Sequence, residues 1–99
     1  MLRSKNFTLD GTSQSLADAS PNQHRPIKWL RIESETGNAA VLVGTSTLTA
    51  TIYGFSVTAG AAASKDIGPF GGGECPFNLE DVYVRGTDTQ VIHVTYATL

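Results

Sequence analysis

The sequence predicts an all-β fold, an antiparallel β-sandwich or small barrel of about seven to nine short strands. Three observations carry the prediction. β-Branched and aromatic residues alternate with polar ones in short runs, turn signals recur every ~8–12 residues, and no amphipathic stretch is long enough for a substantial helix. The chain of 99 residues has room for one small core and one domain, residues 1–99.

Met1 to Asn6 reads as an N-terminal arm, the kind of terminal segment that frays unless something ties it down. Phe7 to Asp10 alternates, with Phe7 and Leu9 on one face, and Gly11-Thr12-Ser13 turns the chain toward a second short strand at Ser13–Ala17. Asp18 to Pro26 is polar, holds two prolines and lacks periodicity, so it is a loop. Ile27 to Glu35 is the next strand and carries the only tryptophan. Its alternation is imperfect around Trp29 and Leu30, which calls for a bulge or for cover on both faces. After a turn at Glu35–Asn38, Ala39 to Gly44 is apolar on both faces, as a central strand is.

Thr45 to Tyr53 is rich in threonine and β-prone, and Gly54 separates it from Phe55-Ser56-Val57. A turn over Thr58–Ala63 leads into a strand around Ser64–Ile67. Gly68 to Pro76, with three consecutive glycines between two prolines, is a loop. The clearest pair closes the chain. Val82 and Val84 share a face opposite Asp81, Tyr83 and Arg85, and Ile92, Val94 and Tyr96 share a face opposite Val91, His93 and Thr95. The Gly86-Thr87-Asp88 cluster between the two runs predicts a hairpin.

Composition limits function. Only 16% of residues are charged, against roughly 25% in ordinary soluble domains, so serine and threonine must supply much of the polar surface. A net charge of -2 offers no basic field for nucleic acid. No window approaches the ~18 apolar residues of a membrane span, and the N-terminus lacks the apolar core of a secretory signal. Cys75 is the only cysteine, which excludes an intramolecular disulfide and suits synthesis in a reducing cytosol.

The candidate chemistry is sparse. His24 and His93, with Asp18, Glu74 or Asp88, match no metal-ligand spacing, so no metal or other cofactor is expected. Cys75 sits between Glu74 and Pro76 with no helix N-terminus to activate a thiolate. Gly71-Gly72-Gly73 lacks the Lys-Ser/Thr and the helix of a phosphate loop. Glu33 with Glu35, or Glu80 with Asp81, lack the cleft that a glycosidase pair needs. No catalytic set emerges, and a non-enzyme is expected. Trp29, Tyr53, Tyr83 and Tyr96 are the aromatics from which a sugar platform could be built, with Trp29 and Tyr96 read as core and Tyr83 as outward-facing.

The order of features resembles small structural proteins of tailed bacteriophages. The residues that carry the resemblance are the Trp29-Leu30-Arg31-Ile32 strand, the Gly37-Asn38 turn, the apolar run ending Val43-Gly44-Thr45-Ser46, Tyr53-Gly54-Phe55 with Thr58-Ala59-Gly60, and Leu79 to Tyr96. The resemblance implies a virion protein with a jelly-roll-like sandwich, and most specifically a capsid decoration (cement) protein. Such a protein is made in the host cytoplasm, sits on the capsid surface as a homo-oligomer, commonly a trimer, and clamps the major capsid protein. It binds neither nucleic acid nor membrane. The alternative is a head-fibre, connector or tail component that binds host-surface glycan. The expected partner contacts are Arg3 and Lys5 in the arm, His24 and Arg25 in the first loop, and Tyr83, Arg85 and His93 on the closing pair.

Overall fold

The computed structural model describes residues 2–17, 27–35, 39–57, 64–67 and 78–98. They form eight strands: β1 (Leu2–Thr8), β2 (Gln14–Ser15), β3 (Ile27–Ser34), β4 (Val41–Gly44), β5 (Phe55–Val57), β6 (Ser64–Ile67), β7 (Tyr83–Arg85) and β8 (Val91–Thr98). A 3₁₀ turn at Leu79–Asp81 leads into β7. The strands make two four-stranded antiparallel sheets, ordered β1-β8-β3-β6 and β2-β7-β4-β5. We call them the first and second sheets. This is a jelly-roll-like order, with the first and last strands paired in one sheet and consecutive strands mostly sent to opposite sheets.

The core lies between the sheets, and period-2 alternation fills it. β8 alternates throughout, burying Ile92, Val94, Tyr96 and Thr98 and turning Val91, His93, Thr95 and Ala97 outward. Leu30 and Ile32 from β3 meet Val41 and Val43 from β4, Val57 from β5 and Val84 from β7 in one apolar cluster with the β8 residues. Of the two readings of the imperfect alternation in β3, the bulge is the one present. Pairing with β8 slips between Ile27 and Trp29, so that Lys28 and Trp29 both face away from the core while Ile27 and Leu30 are both buried. Trp29 is therefore an outer-face residue rather than a core one, whereas Tyr96 is core as expected.

Three expectations are corrected. The first concerns the closing hairpin. β7 pairs with β2 and β4, while β8 pairs with β1 and β3, so the two runs lie in opposite sheets and face each other across the core. Either arrangement buries Val84 against Ile92 and Val94, which is why the pattern alone favoured the local one. The Gly86–Gln90 corner is tied to the other end of the chain instead, with the Leu9 N–H donating to the Gln90 carbonyl at 2.8 Å and the Thr89 N–H to the Leu9 carbonyl at 2.9 Å. A Cβ at Gly86 would fall 2.6 Å from Leu9 Cδ1, so any larger residue there forces the buried Leu9 side chain to shift.

The second concerns the N-terminus. Leu2 to Asn6 is no free arm but most of β1, paired residue by residue with β8 from Leu2↔Ala97 to Thr8↔Val91.

The third is the threonine-rich segment, which is a loop joining β4 to β5 rather than a strand. Threonine hydroxyls satisfy the local backbone in place of a neighbouring strand. The Ile52 N–H donates to Thr49 Oγ1 at 3.0 Å and the Thr51 N–H to the same oxygen at 3.2 Å. The Thr49 N–H donates to the Ile52 carbonyl at 2.9 Å, closing a tight turn.

Candidate functional site

The structure divides the sequence-derived contact residues among three surfaces. The first is the outer face of the first sheet. His93 on β8 stands between Asn6 of β1 and Glu33 of β3. Its Nδ1 lies 2.7 Å from Asn6 Oδ1 and its Nε2 3.1 Å from Glu35 Oε1, so a doubly protonated ring donates to both oxygens and a neutral one to a single oxygen. One register step away, the Arg31 guanidinium grips Asp66 of β6 with two bonds, Nε to Oδ1 at 2.8 Å and Nη2 to Oδ2 at 3.2 Å. The Trp29 ring centre lies 5.6 Å from that guanidinium. The Arg31 hydrogen bond is the main reason that the Asp66 carboxyl titrates below its ordinary range.

β1 edges this sheet, and its burial pattern turns Arg3, Lys5 and Phe7 toward the sandwich interior. Lys5 lays its stem over the sandwich edge, its ammonium 5.3 Å from the Phe7 ring centre, and donates to the Leu16 carbonyl beyond β2. It thereby ties the β1 edge of one sheet to the β2 edge of the other. Arg3 lies beside Tyr96, its Nε buried without a hydrogen-bond partner. Inward-pointing charges on an edge strand also guard it against pairing with another chain.

The second surface is a shallow cleft on the outer side of the second sheet, with a volume of about 520 Å³. Tyr83, the first residue of β7, lines it together with Ser15 of β2, Glu80 and Asp81 of the 3₁₀ turn, and Thr45 and Ser46 after β4. Asp81 is pinned by the Asn78 N–H, which donates to Oδ2 at 3.1 Å. Ser15 Oγ donates to the Glu80 carbonyl at 3.2 Å and accepts from the Ala17 N–H at 3.3 Å. Arg85 shares the outer face with Tyr83, in register with Leu42.

The third surface is the β4–β5 loop. Leu48 is only 5% exposed and packs outside the main core, near Gly44, where a Cβ would approach Leu48 Cδ1 to 3.3 Å. Ser13 Oγ holds the loop by donating to the Leu48 carbonyl at 2.7 Å. On this shelf Ile52 and Tyr53 stand 58% and 49% exposed beside a recess of about 240 Å³ that both residues help to line.

Tyr83 and Arg85 thus lie on one face of the sandwich and His93 on the other, so one flat partner does not cover all three. His24 and Arg25 fall outside the described residues, as do Cys75 and the glycine-rich loop. Trp29, Tyr53, Tyr83 and Tyr96 occupy four different environments and form no common platform. Sequence reasoning missed the Ile52–Tyr53 shelf because it read the segment as a strand. It also missed the partnership of Tyr83 with Glu80 and Asp81, although all three are close in sequence. Among the described residues no group of three or more His, Cys, Asp and Glu side chains is placed to hold a metal ion, and no helix is long and apolar enough to cross a membrane.

No protein-family model and no curated protein matches the chain. Among solved structures, a protein of the Bacillus endospore appendages, which form "a novel family of disulfide-linked pili", superposes with a TM-score of 0.51 at 17% sequence identity, covering 100% of this chain and 87% of the other. At that identity the likeness is one of fold, and it agrees with the two-sheet sandwich described above.

Proposed function

We propose that this chain is a non-enzymatic structural subunit that works by binding other protein subunits of a large assembly, and that the assembly is a phage head on which it acts as a decoration protein. The observation that carries the reading is the Ile52–Tyr53 shelf. Two large apolar side chains are held out toward solvent on a loop whose backbone is fixed by Thr49 and Ser13. A contact surface ordered before binding loses little entropy when a partner covers it, and aromatic residues are enriched in such contacts. The low charge of the chain suits close packing against neighbours, and the sequence resemblance supplies the virion setting. A decoration protein stabilises its shell by mass action, because it binds assembled subunits and not dispersed ones.

The test is to locate the protein by electron microscopy and to compare complete heads with heads lacking it. The reading expects density on the outer capsid surface and loss of integrity at lower temperature and milder osmotic shock when the protein is absent. Heads that withstand both equally well without it overturn the stabilising role.

A second reading is a subunit of a pilus-like polymer, and the fold likeness to a pilus protein favours it. Disulfide linkage is a poor fit, since this sequence holds one cysteine and one thiol joins copies only in pairs. Filaments formed by the purified protein under non-reducing and reducing conditions alike would support a non-covalent version of this reading.

A further inference from the structure

We infer that the Ile52–Tyr53 shelf docks onto the same shelf of a second copy of this chain, forming a two-fold dimer; this rests on the reading that the shelf is a contact between protein subunits. Charge is the first reason for that partner. All 7 lysine and arginine residues, all 9 aspartate and glutamate residues and both histidines fall outside Ala39–Ser64, the stretch that supplies β4, the loop and β5. A two-fold axis sets a patch against its own copy, so like charges on it would face each other, and a patch built from an uncharged stretch escapes that repulsion.

Shape is the second. Ile52 and Tyr53 project, 58% and 49% exposed, beside the recess of about 240 Å³, to which Leu48 gives an apolar wall. The recess is smaller than the roughly 300–1,000 Å³ of small-molecule sites and is of a size for a side chain. A projection and a recess that adjoin on one patch suit an isologous contact: the projection of each copy enters the recess of the other, and the contact closes at two copies. The polar groups fit the same symmetry. Thr45 and Thr47, whose hydroxyl oxygens lie 3.2 Å apart, also line the recess. A hydroxyl both donates and accepts, so it is matched by its own copy, which a carboxylate is not. The bonds of the Thr49–Ile52 turn hold the shelf in this shape before any partner arrives.

Sedimentation equilibrium of the full chain from about 1 μM to about 1 mM tests this, because that span covers weak to moderate dissociation constants. A reversible monomer–dimer equilibrium is expected. In ¹H–¹⁵N spectra the amides of Thr47, Leu48, Ile52, Tyr53 and Gly54 should shift on dilution, and isotope-filtered Overhauser contacts should join Tyr53 of one copy to Leu48 of the other. Ile52→Asp should weaken the dimer by more than about tenfold, by removing apolar contact and placing two carboxylates near the axis. Tyr53→Ala should weaken it about tenfold, and it is the informative variant if Ile52→Asp does not fold. A monomer throughout the range, dilution shifts confined to other residues, or an Ile52→Asp dimer as tight as the parent's overturns the inference. Head binding separates that failure from a failure of the underlying reading. If the parent is monomeric and Ile52→Asp loses binding to heads, the shelf is a contact with a different protein; if the variant binds heads like the parent, the shelf is no subunit contact at all.

Discussion

Leu48 and Ile52 are four residues apart in the threonine-rich segment, and a strand would put both on one face. Truncating either to alanine would then cost about the same. The loop separates them, leaving Leu48 at 5% and Ile52 at 58% exposure. Leu48→Ala removes a buried side chain packed near Gly44 and should cost about 2–3 kcal/mol, the lower half of the usual range, because the adjoining recess lets the site relax. For a domain of this size that lowers the melting temperature by roughly 10–20 °C. Ile52→Ala loses only a fraction of the burial worth about 1.5–3 kcal/mol for a wholly buried aliphatic side chain, so its cost should be about 1 kcal/mol or less. Urea denaturation of the three proteins, with unchanged slopes, gives the comparison. Equal losses, or a Leu48→Ala loss below about 1 kcal/mol, would refute the loop as a packed shelf.

Further predictions concern the outer faces. Lys5→Met keeps the apolar stem but strips the donor from the Leu16 carbonyl, and should lower stability by about 1–2 kcal/mol in the same assay; an unchanged midpoint would mean that the bond between the sheet edges contributes nothing. Asp66 has a carboxyl held below its ordinary value of 3.8, so its contribution is fully present above that value and is lost as the pH falls through the lower, folded-state value. Asp66→Asn should therefore be less stable than the parent at neutral pH, with the gap closing only below about pH 4; a gap that is constant to pH 2 would remove the Arg31–Asp66 pair from the account. Gly86→Ala should destabilise by about 1–3 kcal/mol, because its Cβ collides with the buried Leu9; Leu9→Val in the same chain should return part of that loss if the collision is the cause.

Much of the fold was legible because period-2 alternation is a local signal. Val84, Ile92, Val94 and Tyr96 declared their inner face, while the adjacent Trp29 and Leu30 pointed to either a bulge or cover on both faces, and the register slip between Ile27 and Trp29 decides for the bulge. The choice of sheet was not legible for β7 and β8. Two apolar faces satisfy each other either across a sandwich or side by side with a third layer, and nothing within residues 82–96 distinguishes these. The deciding contacts come from Leu9, near the other end of the chain, through its bonds to Thr89 and Gln90. Thr45 to Tyr53 misled because β-propensity describes a side chain on a pleated surface, whereas the Thr49 hydroxyl here bonds to its own turn. Of the candidate sites, Tyr83 was legible as an outward residue. Its cleft was not, since Ser15 and Thr45 reach it only through the pairing of β2, β7 and β4.

The last two strands lie in opposite sheets, which places Tyr83 and Arg85 on one face of the molecule and His93 on the other, and every surface described above depends on that division. Cross-strand nuclear Overhauser effects test it most directly. Backbone contacts are expected from Val84 to Val43 and Gln14, and from Ile92 to Phe7 and Ser34. Ladder contacts joining Val84 to Ile92, with those pairs missing, would contradict it and return all three residues to a single hairpin.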